Sequence, residues 1–376
     1  MSPPRRRRRL DYYRQFEALS PQESSSRLRK QRCEERSLEL ARVDDLDLAT
    51  TAWHEPPDPE VVNAATFALR RSINHYPETG AGPAVRAIAA HHGVPEARIA
   101  LGHGAGQLLQ AALRELASGG EVVLAWPSWA ALPALAGRAG ARPVPVALAP
   151  DGGPDFGALA AAVTDATRAV VLCSPNDPTG ALADRGALRA FAESLPPQVS
   201  VLVDEALVEL APEDASVAPL VADLANLVVL RSFSKGWAMA GLRVGYVLGP
   251  AADTELMQAL TPGQGVASPA QAGVVAALED PARAAARLAL RRSLAAAERA
   301  RLATALADTP FSFGTSHAHI VWLRGQDMTA AQIVHGLLGQ RIQVAPGAAW
   351  DDDEHVRVTL RDRPSTDRLV AALNVL

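Results

Sequence analysis

Short apolar runs alternate with amphipathic segments along the chain from about residue 60. The apolar runs have the length of buried strands, and most segments between them have helical spacing. Seven runs are predicted to be strands: Arg98–Leu101, Glu121–Leu124, Arg142–Val146, Ala169–Cys173, Val201–Val203, Leu227–Leu230 and Val244–Leu248. Helices are predicted between most of them, as at Gly106–Leu116, Phe156–Val163 and Arg185–Ser194. This alternation predicts an α/β fold, in which helices cover both faces of a mostly parallel sheet.

The pattern changes from about residue 270 onward. A long helix rich in Ala, Arg and Leu is predicted at roughly Pro269–Leu306, followed by apolar runs at Ala318–Leu323 and Arg341–Val344. A last unit joins Val356–Leu360 to a helix that begins near Ser365. This order predicts a smaller α+β lobe. The expected division is an N-terminal arm at 1–45, partly mobile, a large cofactor-binding domain at 71–269, and a small domain made of 46–70 and 270–376.

Composition narrows the classes of function. The chain has 376 residues, 48% of them hydrophobic, which is enough for a substantial core. Its net charge of −4 does not indicate a nucleic-acid partner, and no apolar run is long enough to predict a membrane-spanning helix. The run Arg5–Arg9 is expected to be a solvated tail, because no apolar segment of an export signal follows it. We therefore expect a cytoplasmic protein without nucleic-acid or membrane partners.

Cysteine usage gives no framework for disulfides or metal. Cys33 and Cys173 lie far apart, and neither has a CxxC partner, so we expect neither a disulfide scaffold nor a metal site. Cys173 ends an apolar run and is expected to be a small buried side chain.

Lysine occurs at only two positions, Lys30 and Lys235, although arginine is abundant. A genome rich in arginine codons would explain the general bias, but it does not explain why Lys235 is an exception. A guanidinium stays protonated, whereas a lysine amine can lose its proton and form a Schiff base. Lys235 is therefore the first candidate for covalent chemistry.

Polar residues follow several of the predicted strands, where ligands of parallel sheets bind. They are the glycine-rich turn 102–107, Trp129, the turn 174–180, the acids Asp204 and Glu205, and the segment 232–235 with Arg243 eight residues further on. Each of these alone is common in structural turns. Together they supply anion donors, a ring to stack on, a buried acid and an amine. A pyridine aldehyde cofactor with a phosphate group requires this set.

On these residues the chain resembles the fold-type-I pyridoxal-phosphate-dependent aminotransferases of class I/II, nearest the histidinol-phosphate aminotransferase branch. The most specific match is Ser-x-Ser-Lys-x5-Gly-x-Arg-x-Gly at 232–245, supported by Asn-Asp-Pro-Thr-Gly at 176–180 and Asp-Glu-Ala at 204–206. The match extends from about Asp47 to the C-terminus. The resemblance implies a three-layer α/β/α fold with a mostly parallel seven-stranded sheet and a smaller α+β lobe. It also implies pyridoxal 5′-phosphate as cofactor and ping-pong transfer of an amino group between an amino acid and a 2-oxo acid.

The resemblance further implies a role for each matching residue. Lys235 would form the Schiff base and move the proton, while Asp204 would pair with the ring nitrogen. Arg357 would hold the substrate α-carboxylate at two points, and Tyr76 would reach the phosphate of a neighbouring subunit, which implies a homodimer. The other cofactor contacts would come from Ala105, Gly106, Ser232, Ser234 and Arg243 at the phosphate, Trp129 at the ring and position 177 at the phenolic oxygen. On the substrate side, the resemblance points to Ala52, Trp53 and His54.

Three positions depart from the family pattern. Asp177 stands where the family has asparagine, and Leu207 stands where it has tyrosine. Both family residues donate to the phenolic oxygen of the cofactor, so we expect either a protonated Asp177 or a raised pKa of the resting Schiff base. Ala345 stands where the histidinol-phosphate branch has arginine. Because a phosphorylated substrate needs several cationic donors, histidinol phosphate is not the expected substrate.

Two other functions remain open at this point. The same scaffold hosts pyridoxal-phosphate lyases and decarboxylases. A decarboxylase would release carbon dioxide, whereas a transaminase releases a keto acid. A protein that binds the cofactor only to regulate is the alternative outside enzymes, although Lys235 and Asp204 argue against it.

Overall fold

The computed structural model describes residues 44–250 and 254–376, together with Ser26, Lys30 and Gln31 ahead of them. Most of the predicted N-terminal arm, including the Arg5–Arg9 run and Cys33, therefore lies outside the described residues.

A separate short strand, β1 (Leu46–Asp47), comes first in the chain. A seven-stranded sheet forms the centre of the molecule. Its strands are β2 (Ile99–Gly102), β3 (Glu121–Trp126), β4 (Arg142–Ala147), β5 (Thr167–Cys173), β6 (Ser200–Asp204), β7 (Leu227–Ser232) and β8 (Gly245–Leu248). They lie in the order β2-β8-β7-β6-β5-β3-β4, in which β8 runs antiparallel to both neighbours and every other pair is parallel. The predicted mostly parallel sheet is confirmed.

Helices cover both faces of this sheet. They are α1 (Pro59–Ser72), α2 (Gly82–His92), α3 (Ala105–Ala117), α4 (Leu132–Arg138), α5 (Phe156–Ala161), α6 (Arg185–Ser194), α7 (Thr254–Leu260) and α8 (Ser268–Leu278). Successive strand residues point to opposite faces. Accordingly, Val201 belongs to a core that includes Ile88 of α2, whereas Leu202 belongs to a second core that includes Leu109 of α3. The three-layer architecture is confirmed.

A smaller antiparallel sheet follows the long helix α9 (Pro281–Leu306). Its strands β9 (Phe311–Phe313), β10 (Ile320–Gly325), β12 (Ala345–Pro346) and β13 (His355–Thr359) lie in the order β12-β13-β10-β9. Strand β11 (Ile342–Gln343) pairs with β1, while α10 (Ala330–Leu338) and α11 (Arg363–Leu373) cover the sheet. Among the helices of the described residues, none has the length and apolar surface needed to cross a bilayer.

The single helix predicted at Pro269–Leu306 is wrong, since the structure divides it into α8 and α9. The break falls at Asp280, whose side chain accepts a hydrogen bond from the Arg283 N–H and caps α9, and Pro281 occupies the first helical position. Proline has no N–H to continue an earlier helix but fits a new first turn. The acid-proline pair was visible in the sequence.

The predicted division into a large and a small domain stays a prediction. The hydrophobic contacts bear on its boundaries, because Val61 of α1 and Val274 of α8 join the core that includes β6 and β7. Leu46 and Leu302 join the core beneath the smaller sheet. These contacts would assign α1 and α8 to the large domain.

A buried ion-pair cluster lies behind the end of β7. The Arg231 guanidinium is 3.0 Å from a carboxylate oxygen of Glu205 and 3.0 Å from one of Glu209, and the three side chains are almost fully buried. Glu205 also accepts hydrogen bonds from Ser216 and from the Val217 N–H. Because Arg231 and Glu205 directly adjoin Ser232 and Asp204 in the chain, the cluster fixes the strand ends that precede the candidate site.

The substitution Arg231→Met should lower the free energy of unfolding by about 3–5 kcal/mol, because it leaves two buried carboxylates without a cation. Denaturation in urea, followed by circular dichroism, would measure the loss. Arg189→Met is the matched control, since its ion pair with Asp223 is exposed and should contribute less than about 1 kcal/mol. Equal losses for the two variants would contradict a structural role for the buried cluster.

Candidate functional site

A cavity of about 410 Å³ opens where the carboxyl ends of β5, β6 and β7 meet the start of α3 and strand β13. Its lining combines small, polar and charged side chains: Thr50, Thr51, Ala52, Ala105, Gly106, Trp129, Cys173, Pro175, Asp177, Asp204, Ala206, Leu207, Ser232, Ser234, Lys235, Ala240, Arg243 and Arg357. The sheet thus brings together most of the residues singled out from the sequence.

Asp204 is the last residue of β6 and lies at the floor of the cavity, 8% exposed. Its Oδ1 accepts a hydrogen bond from the Ala206 N–H at 2.9 Å. Burial raises the pKa of this carboxyl to about 6, against the opposing effects of that hydrogen bond and of Lys235. A cationic partner inside the cavity would therefore stabilise the charged form of the Asp204 carboxyl.

Lys235 follows the end of β7, and its Nζ donates a hydrogen bond to Thr51 Oγ1. Burial lowers the pKa of this amine, and the nearby Arg357 acts in the same direction, while Asp177 opposes them. A lowered pKa increases the fraction of neutral amine, which is the nucleophilic form.

A cluster of anion donors lies at one end of the cavity. The Arg243 Nη1 is 3.3 Å from Ser234 Oγ, and Ser232 Oγ accepts from the Ser234 N–H at 3.0 Å. The N-terminus of α3, at Ala105 and Gly106, faces the same space. Free N–H groups at a helix start, hydroxyls and a guanidinium together favour a bound phosphate or carboxylate.

Glycines keep this end of the cavity open. A Cβ on Gly106 would lie 2.7 Å from the ring of Trp129, and a Cβ on Gly104 would lie 3.0 Å from Arg243 Nη2. Gly104 also has a φ of +91°, which L residues rarely adopt. The close approach of Trp129 and Arg243 to this turn therefore requires glycine.

Asp177 and Arg357 form an ion pair across the cavity. Arg357 Nη1 lies 2.7 Å and 2.9 Å from the two carboxylate oxygens of Asp177, and Nη2 donates to the Ala49 carbonyl. The guanidinium also sits over the ring of Trp350 at 5.2 Å. The structure thus gives Asp177 a cationic partner, a contact that the sequence analysis did not foresee.

The neighbouring Asn176 has a structural role. It accepts a hydrogen bond from Ser128 Oγ at 2.7 Å and donates to the carbonyl of Pro127 and to Thr179 Oγ1, at 3.0 Å each. These bonds tie the turn after β5 to the turn after β3, and so fix the position of Asp177.

Of the four predicted substrate residues, Arg357 and Ala52 belong to the cavity lining. Trp53 is buried behind it, where its ring is 5.0 Å from that of His54 and 6.2 Å from that of His319. The cation of Arg291 lies over the Trp53 ring at 5.5 Å. Trp53 and His54 therefore pack behind the cavity wall in the described structure, because Thr51 turns towards Lys235 and the chain then leaves the cavity.

Tyr76 lies outside the cavity and is 91% exposed. Leu207 lines the cavity at the position where the family has tyrosine, and it presents only apolar atoms. Ala345 is buried and pairs directly with Arg357 across β12 and β13. The side chain beside Arg357 at position 345 is therefore small and apolar, whereas the histidinol-phosphate branch has an arginine there.

Thr51 and His319 are the residues that the sequence analysis missed. His319 is fully buried, and its Nε2 lies 2.9 Å from the Thr51 carbonyl oxygen. Burial lowers the pKa of His319 to about 3, so its ring is neutral at physiological pH. Nothing near His319 in the sequence indicated this contact, since 268 positions separate it from Thr51. Thr51 directly precedes Ala52 in the chain, but its hydroxyl was not singled out.

The chain is similar in sequence and in fold to known aminotransferases. A family model described as aminotransferase class I and II matches residues 44–373. An aromatic amino acid aminotransferase of Mycobacteroides abscessus is 39% identical over 281 residues, which are 74% of this chain and 79% of the relative. One of Thermobifida fusca is 37% identical over 315 residues, which are 80% and 86%. The solved structure of histidinol-phosphate aminotransferase from Sinorhizobium meliloti, in complex with pyridoxal 5′-phosphate, superposes with a TM-score of 0.79 at 26% identity, covering 90% of this chain and 92% of that one.

The substitution Asp204→Asn should stabilise the ligand-free protein above about pH 7. Folding raises the pKa of Asp204 to about 6, so the folded state disfavours the charged form and stability falls as pH rises from about 4 to 6. Removing the charge should raise the free energy of unfolding by roughly 2–3 kcal/mol above that range and by almost nothing below about pH 4. Urea denaturation across pH measures the difference. Glu115→Gln, an exposed change on α3, should show no such pH dependence; a flat difference for Asp204→Asn would contradict the account.

Proposed function

Because the chain belongs to the class I and II aminotransferases and is therefore a transaminase, we propose that it uses pyridoxal 5′-phosphate to move the amino group of an aromatic amino acid to a 2-oxo acid. The observation that supports this most is the convergence of Lys235 and Asp204, from two neighbouring strand ends, on one cavity with an anion-binding end. We also propose that the protein is cytoplasmic.

The residues of the cavity fit this cofactor. Its phosphate needs several donors, which the start of α3, Ser232, Ser234 and Arg243 provide at one end. Gly104 and Gly106 leave room that a side chain would fill. Trp129 would stack on the ring, and Asp204 would pair with the ring nitrogen.

When bound, the cofactor would supply an aldehyde carbon and a ring that accepts electrons. Lys235 would hold the aldehyde and, once released by the substrate amine, would take the proton from the substrate Cα and deliver it to the former aldehyde carbon of the cofactor. Thr51, which also lines the cavity, accepts a hydrogen bond from the Lys235 amine in the ligand-free protein. The Asp204 carboxylate, charged above about pH 6, would keep the ring nitrogen protonated.

The charges that line the cavity favour a substrate with one negative charge. Of the described residues in the lining, the cations are Lys235, Arg243 and Arg357. Lys235 is needed for the chemistry and Arg243 for the phosphate, which leaves Arg357 alone for the substrate. A second carboxylate or a phosphate ester on the substrate would have no cationic partner among the described residues that line the cavity, since Ala345 lies beside Arg357. An amino acid with an uncharged side chain fits this balance.

The names of the relatives at 39% and 37% identity support an aromatic donor, as does the cavity wall around Leu207 and Trp129. The test is a single-turnover screen, in which each amino acid is mixed with the cofactor-loaded enzyme and the keto acid is identified by mass. Phenylalanine, tyrosine and tryptophan should convert the cofactor fastest. If aspartate or histidinol phosphate were faster, the proposed donor would be wrong.

The substitution Lys235→Arg should reduce the single-turnover rate by about 10²–10⁴-fold, because a guanidinium cannot exchange the proton. Stopped-flow absorbance measures the rate. Lys30→Arg is the matched control, since it changes the only other lysine, an exposed one, in the same way and should leave the rate unchanged. Borohydride reduction of the wild-type enzyme should attach the cofactor to the peptide that contains residue 235.

We further propose that the active enzyme is a homodimer. Large apolar side chains are exposed along α1 and the residues after it, including Phe67 at 63%, Ile73 at 77% and Tyr76 at 91%. Exposed apolar surface of this extent is typical of an interface. A second copy of the chain would cover it and would allow Tyr76 to reach the neighbouring cavity.

Sedimentation velocity should give the mass of a dimer for the wild-type protein. The double substitution Phe67→Glu with Ile73→Glu should produce monomers at micromolar concentration, because it places charges in the apolar contact. Val375→Glu, at an exposed apolar residue near the C-terminus, should leave the dimer intact. A wild-type monomer at all concentrations would overturn the proposed assembly.

A further inference from the structure

The guanidinium that would hold the substrate is already paired. Arg357 Nη1 contacts both oxygens of Asp177, at 2.7 Å and 2.9 Å, and the two side chains are 11% and 14% exposed. Nη2 donates to the Ala49 carbonyl, and Nε is buried without a partner. Asp177 thus occupies the position where a carboxylate ligand of Arg357 would bind.

We propose that Asp177 competes with the substrate carboxylate for Arg357, so that a carboxylate binds there only together with one proton taken from solvent. This inference rests on the proposed function, in which the substrate α-carboxylate binds Arg357. Asp177 would then determine both the affinity for carboxylates and the pH dependence of that affinity.

The physical reason is the local charge balance. A bound substrate would place a second carboxylate beside Asp177, with one guanidinium between them. Two carboxylates in one poorly solvated site repel each other strongly, and sharing one proton relieves the repulsion. The proton would reside on one carboxyl oxygen of the pair and would donate a hydrogen bond to the other carboxylate.

No other described group near the pair supplies a positive charge that could neutralise the second carboxylate. The titratable and charged groups that face Asp177 and Arg357 from the surrounding elements are Cys173, Asp204, Lys235, Arg243 and His319. In the ligand-free protein Lys235 donates to Thr51, and burial favours its neutral form. In the cofactor-loaded enzyme this nitrogen would be bonded to the cofactor and would not be a free ammonium. Arg243 is held by Ser234 and Ala240, and His319 is neutral at physiological pH. The two remaining groups, Cys173 and Asp204, are acids and cannot add positive charge.

The proposal predicts different behaviour for ligands with and without a carboxylate. A carboxylate should bind less tightly as pH rises, by up to about tenfold per pH unit where one proton is taken up. A neutral ligand of the same shape should show no such dependence. Asp177→Asn keeps the size of the side chain but removes its charge. It should therefore increase the affinity for carboxylates and abolish the proton uptake.

The experiment uses the cofactor-loaded enzyme and 3-phenylpropionate, an aromatic monocarboxylate that has no amino group and cannot react. Titration calorimetry from pH 6 to 9, in two buffers with different ionisation enthalpies, gives the Kd and the number of protons taken up. Wild-type enzyme should take up close to one proton while the visible absorbance of the bound cofactor stays unchanged, since protonation of the Schiff base would alter that absorbance. Asp177→Asn should take up almost none and bind the acid at least about tenfold more tightly at pH 8.

Two controls isolate the charge at position 177. The neutral analogue 3-phenylpropan-1-ol should bind wild type and Asp177→Asn equally, which excludes a general change in the cavity. Asp165→Asn removes an exposed carboxylate far from the cavity and should behave as wild type. The inference is overturned if wild type takes up no proton, or if Asp177→Asn binds the acid as wild type does or more weakly. Binding needs no turnover, so this result is independent of whether the enzyme transfers amino groups.

Discussion

Parallel hydrogen bonding between β5, β6 and β7 is the constraint on which the site depends. It pairs Cys173 with Asp204 and Asp204 with Leu230, so the three strands end together at one edge of the sheet. The acid, the turn with Asp177 and the segment with Lys235 each follow one of these ends. Because the register is fixed by two buried faces, the distances between these groups are fixed as well.

The burial that this architecture requires also sets the chemistry. Desolvation raises the pKa of Asp204 and lowers that of Lys235, so both groups are moved towards their neutral forms. Such shifts cost stability in the ligand-free protein, and they are typical of groups at functional sites. The cluster of Arg231 with Glu205 and Glu209 lies directly behind and makes the strand ends rigid.

The smaller sheet completes the cavity with one cation and little else. Strand β13 brings in Arg357, and the strip from Thr50 to Ala52 closes the same side. The charge at Asp177 then offsets that cation, so the cavity holds two acids against three cationic groups, each with a defined partner or role. In a site with so few charges, the carboxylate of Asp177 is a large part of the charge balance around Arg357.

The sequence by itself determined the fold class and most of the cavity lining. Alternating apolar runs predicted all seven strands of the large sheet, and the residues after them, such as Asp204 and Lys235, were recognisable because polar side chains directly follow buried strands. Only the tertiary structure showed that Arg357 pairs with Asp177 and that His319 contacts Thr51. Those pairs join residues 180 and 268 positions apart, and no local pattern encodes such contacts. They depend on how the smaller sheet packs against the larger one, as does the place of Trp53 behind the cavity wall.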